Sequence, residues 1–135
     1  MTRLNKCGAA IAAAFSAFLL VPSAFSQTKE ICGINLANVS KHLQELANAR
    51  PDTVQRTPIY LGVTDTTDRK TWTATLPGHP AHPVVVCRHP ISTDKGIEIK
   101  TEVICQGPKY ACDNVVAEFQ ALNDQIRKQL EQKSK

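Results

Sequence analysis

The chain has 135 residues, 42% apolar, 21% charged and 5% aromatic, with 16 Lys plus Arg against 12 Asp plus Glu. Apolar content at this level with charges of both signs excludes disorder throughout, and the lack of a sustained period or internal repeat excludes collagen-like, coiled-coil and solenoid designs. The length holds one domain at most.

The first 26 residues read as a secretory signal peptide. Arg3 and Lys6 give a positive start, Gly8 to Val21 form an uncharged run rich in Ala, Phe and Leu, and Ala24 and Ser26 supply the small residues ahead of a cut before Gln27. The apolar run falls short of the roughly 20 residues needed to cross a bilayer, so no stable membrane insertion is expected once the leader is removed. Cys7 precedes that run and is discarded with it, which leaves no lipidation site at the new N-terminus. The Ala-rich leader favours a bacterial host, hence a periplasmic or secreted protein. In a eukaryotic host Asn38, Val39 and Ser40 would form a glycosylation acceptor.

Residues 27–135 then form a single small domain with 14 basic and 12 acidic residues. The basic residues are scattered rather than gathered in a stripe, so nucleic acid is not an expected partner.

Four cysteines remain, Cys32, Cys87, Cys105 and Cys112, an even number for an oxidising compartment, so two disulfides are expected. Cys105 and Cys112 enclose six residues, too many for the usual zinc-ligand pair, and no CxxC redox motif is present. Four cysteines allow three pairings. A strand end followed by a helix start brings Cys105 to Cys112 and leaves Cys32 for Cys87.

In chain order, Leu36, Val39, Leu43, Leu46 and Ala47 recur at helical spacing, and Pro51 ends that helix. Ile59, Leu61 and Val63, then Trp72, Ala74 and Leu76, alternate with polar or small residues and read as a hairpin with a polar tip at Asp65 to Asp68. The three prolines of 77–83 mark a loop. Val84 to Arg88 is a short β-branched strand, and Ile97 to Cys105 is a longer one with an apolar odd face and Glu98, Lys100 and Glu102 on the other. Gly107 and Pro108 start a second helix with an inner stripe of Cys112, Val115, Val116, Phe119, Leu122, Ile126 and Leu130. The expected fold is α+β, in the order α-β-β-β-β-α. It is a four-stranded antiparallel meander with both helices packed on one face, because alternating strands can be covered on one side only.

Chemistry is sparsely signalled. His79 and His82 in the proline loop and His89 after Cys87 form the one histidine group that invites a metal, and envelope metal binding through these three is the alternative reading of function. No nucleophile with an adjacent base, phosphate-binding glycine loop or carboxylate pair on facing elements is apparent, so no catalysis and no cofactor are expected. Trp72 shares parity with Ala74 and Leu76 and reads as core, while His42 reads as a boundary residue. The primary reading is an exported, disulfide-stabilised binding module that docks a protein partner, in the manner of an inhibitor or immunity factor. Its contacts are expected from Tyr60, His79 and His82, from the stiff loop 77–90, or from a wet sheet face carrying Thr71, Thr73, Thr75, Lys100 and Glu102.

Overall fold

The computed structural model describes residues 29–133; the expected leader lies outside the described residues. The chain begins with a short hairpin, β1 (Glu30–Ile31) and β2 (Ile34–Asn35), joined by Cys32 and Gly33. Both joining residues have positive φ, +49° and +81°, as a two-residue turn matched to strand twist requires. Helix α1 (Leu36–Ala49) follows directly, and the Asn35 side chain caps it by accepting from the Ala37 amide at 3.0 Å. A 3₁₀ turn (Pro51–Thr53) leads into the main sheet, formed by β3 (Gln55–Arg56), β4 (Tyr60–Asp65), β5 (Lys70–Thr75), β6 (Val84–Thr93) and β7 (Gly96–Cys105). These five strands lie in sequence order and pair antiparallel throughout. Helix α2 (Lys109–Lys133) closes the domain.

The α+β class and both disulfides are as expected, and the strand count differs. Among the described residues there are seven strands in two sheets rather than four in one. β1, β2 and β3 have two residues each, too few for a period to register. β6 also runs on through Pro90 to Thr93, where the sequence suggested a loop. Its β5 partners reach only to Arg88, so Pro90 sits where one side of the strand is an open edge and its missing amide donor interrupts no ladder.

The helices do not share a face. Trp72 and Ala74 stand opposite Cys87 and Val85, which in turn face Glu102 and Ile104, and this side packs against Val39 and Leu43 of α1 together with Ile31. The reverse side, with Val84, Val86, Val103 and Cys105, packs against Ala111, Val115 and Phe119 of α2. The result is a helix, a sheet and a second helix in three layers. The reason lies in β6: Val84, Val85, Val86 and Cys87 are four consecutive apolar residues, the pattern of a strand covered on both faces.

Each face has its own cross-link, Cys32–Cys87 on the α1 side and Cys105–Cys112 on the α2 side, the pairing expected from sequence. The loop after β5 is seated on the start of α2 by a backbone contact that admits no side chain. A Cβ added to Gly107 would clash with the Ala81 carbonyl oxygen. Of the predicted α2 stripe, Val115 and Phe119 are buried, whereas Val116, Leu122 and Leu130 are exposed. Among the described residues no helix is long and apolar enough to cross a membrane.

Candidate functional site

A cleft of about 320 Å³ opens on the α2 side, between that helix and the β3–β6 part of the sheet. α2 packs over Val84, Val86, Val103 and Cys105 of β6 and β7, which leaves this side of β3, β4 and β5 less covered. The cross-strand pair Gly62 and Thr73 forms a floor of small residues. Phe119 and Leu122 supply an apolar wall, and Arg88, Glu118, Gln55, Thr57 and Tyr60 supply the polar groups.

Arg88 is the cation of the cleft. It projects from β6 between its ladder partners Thr71 and Thr101, and its guanidinium lies 5.1 Å from the centroid of the Phe119 ring. Its Nη1 donates to Asn123 Oδ1 at a long 3.4 Å, and Asn123 is aimed by its own amide, which donates to Thr101 Oγ1 at 2.7 Å. Arg88 Nε is buried without a partner, and no carboxylate lies within ion-pair distance of Arg88 among the described residues. Desolvation lowers its pKa from the ordinary guanidinium value.

Two of the residues expected to bind a partner meet at the edge of this cleft. His79 Nδ1 accepts from the Ala81 amide at 3.0 Å, which leaves the proton of the neutral ring on Nε2, 2.8 Å from the Tyr60 hydroxyl. Tyr60 then donates to Glu118 Oε2 at 3.1 Å. Nothing along the chain marks Glu118, which lines the cleft from α2 and reaches Tyr60 only in the folded chain. Burial, reinforced by the adjacent Glu118 carboxylate, pushes the Tyr60 phenol up to about 12, so it stays a neutral donor.

The third, His82, is used differently. Its Nδ1 donates to the Thr75 carbonyl at 3.0 Å, and Thr75 Oγ1 accepts from the Val84 amide at 2.8 Å, fastening the proline loop to β5. His89 lies on the α1 side, with Nδ1 3.7 Å from Cys32 Sγ. The three histidines therefore do not gather into one ligand set. Among the described residues, three potential metal-ligating atoms converge only at Cys32, Cys87 and His89, and there both sulfurs are already joined in a disulfide.

The expected wet face is also divided. Thr71, Thr73 and Thr75 point to the α2 side, whereas Lys100 and Glu102 point to the α1 side. Glu102 has a structural role, because its Oε2 accepts from the Cys32 amide at 2.6 Å while Oε1 pairs with Lys100 at 3.0 Å. The Cys32 amide, and then Lys100, hold its carboxyl below the usual range. Asp65 is buried and caps the hairpin tip by accepting from the Thr67 and Asp68 amides. Trp72 is fully buried, as expected, with the boundary residue His42 edge-on at 5.3 Å.

The cleft thus offers a half-buried cation, a neutral phenol, an imidazole, a carboxylate and an apolar wall, but no thiol, since all four described cysteines are in disulfides. No protein-family profile, no curated protein and no solved structure significantly matches this chain.

Proposed function

We propose that this protein is an exported binding module of the periplasm or extracellular space. It docks a protein partner through the α2-side cleft and the Tyr60 and His79 edge, without catalysing a reaction. Two disulfides support an oxidising compartment, where such bonds persist. The observation that carries the docking reading is that Arg88 and Glu118 bring opposite charges into one cleft without pairing with each other. Both charges remain available to a complementary surface, and the hydrogen-bonded edge is already ordered, so little side-chain entropy is lost on contact. An inhibitor or immunity-type role fits a rigid module of this kind. Metal handling through His79, His82 and His89 finds no support in where those rings lie.

The test is capture from envelope extract with the purified, disulfide-bonded protein as bait. One protein should be retained saturably, and His79→Ala or Glu118→Ala should weaken its retention about tenfold while the thermal transition persists. Capture that is unaffected by either change, or no specific capture, overturns the docking reading.

A further inference from the structure

We propose that the Arg88 cleft is a binding site for a single carboxylate carried on an apolar body, with the carboxylate taken by the guanidinium and the body laid against Phe119 and Leu122. The proposal rests on the binding reading above and names the chemistry that the cleft recognises.

Arg88 is incompletely satisfied by the protein. A guanidinium partly withdrawn from water is costly unless its donors are met, and among the described residues the protein offers Arg88 only an amide oxygen at 3.4 Å and an aromatic face. Nε, a donor of the planar fork that matches a carboxylate, is buried with nothing to receive its proton. The polar support is nevertheless built. Thr101 fixes Asn123, Asn123 and Phe119 fix the guanidinium, and Thr71 and Thr101 flank it in the ladder.

Glu118 lines the same cleft and is held by Tyr60 rather than by Arg88. One cation with an anion nearby suits a monoanion. A phosphate dianion would need more positive charge than Arg88 alone supplies and would be repelled by Glu118. Size and lining point the same way, because a cleft of about 320 Å³ with Phe119 and Leu122 on its wall matches the lower range of small-ligand pockets and favours an apolar body.

Titrating the purified, disulfide-bonded protein, followed by amide chemical shifts, tests this. The probes are phenylacetate, its uncharged analogue phenylacetamide, inorganic phosphate, and N-acetyl-glycyl-phenylalanine as the free acid and as the C-terminal amide. The free acids should bind saturably and at least about tenfold more tightly than the amides or phosphate, with shifts centred on residues around Arg88 and Phe119. Arg88→Gln should remove that preference. Leu122→Trp, at a position already 38% exposed, should block binding without touching the charge.

Equal binding of acid and amide, phosphate binding as tightly as the acids, no saturable binding, or an acid preference that survives Arg88→Gln would each overturn the proposal. Among supporting outcomes, a tighter peptide acid identifies the end of a polypeptide as the source, and a tighter phenylacetate identifies a small free acid. Carboxylate binding without capture of any protein would sink the docking reading and leave the cleft standing. Capture without carboxylate preference would do the reverse.

Discussion

The two faces of the β3–β7 sheet are built for different purposes. On the α1 side, Trp72, Cys87, Ile31 and Val39 are almost completely buried, and the Cys32 turn is tied down by a disulfide and by Glu102. The α2 side is packed only where the helix crosses Val84, Val86 and Val103, and beside that contact it leaves a cleft with a half-satisfied arginine. One face concentrates apolar burial and covalent closure, and the other retains polar groups that a domain selected for stability alone would bury with partners or replace. This division is why the cleft carries the binding proposal.

The largest test of the contrast compares the disulfides. Cys32 and Cys87 are 55 residues apart in sequence and Cys105 and Cys112 only 7, so the first closes a far longer loop of the unfolded chain. Loop-closure entropy makes Cys32→Ala with Cys87→Ala cost about 4 kcal/mol, against about 2.5 kcal/mol for Cys105→Ala with Cys112→Ala. Urea unfolding of the two double variants measures both losses. A larger loss on the α2 side would reverse the roles assigned to the two faces.

A smaller effect sharpens the α1 side. Glu102→Gln replaces a charged acceptor of the Cys32 amide and should cost about 1 kcal/mol at neutral pH. The folded carboxyl lies below its ordinary value, so its contribution is complete above the ordinary carboxylate range and disappears as pH falls through the depressed pKa. The wild type should therefore lose more stability than Glu102→Gln when acidified below about pH 4, as read from urea midpoints. Parallel acid losses in the two proteins would remove Glu102 from the account of this face.

The smallest effect belongs to the cleft. The folded Tyr60 phenol lies above its ordinary value of 10.0, at about 12, so its stabilising contribution is present below the ordinary value and is lost as pH rises through the folded one. Tyr60→Phe should cost under about 1 kcal/mol at neutral pH and should abolish the late-ionising tyrosine in an ultraviolet titration. If the late step persists in that variant, Tyr60 is not the group held neutral by burial and Glu118.

Much of this was legible along the chain. Helical spacing located α1 and the buried start of α2, alternation located β4, β5 and β7, and the even cysteine count with a short Cys105 to Cys112 interval pointed to the observed pairing. The two-residue strands escaped notice because period-2 alternation needs several residues to register. The assignment of both helices to one face failed although the signal was present: Val84 to Cys87 contains no polar residue to turn outward. In the site, Tyr60 and His79 stand out singly in the sequence, but nothing local connects them to Glu118 and Arg88, which lie 58 and 28 positions beyond Tyr60.

The sequence by itself determined both helices, the longer strands in outline, and that four thiols would be consumed in pairs, because each depends on neighbouring residues or on parity in the count. Only the tertiary structure decided which side of the sheet each helix covers and therefore which charged residues share a cleft. Strand register determines those outcomes: Cys87 stands against Glu102 and Val86 against Val103, and a one-residue slip would exchange the two faces of β7.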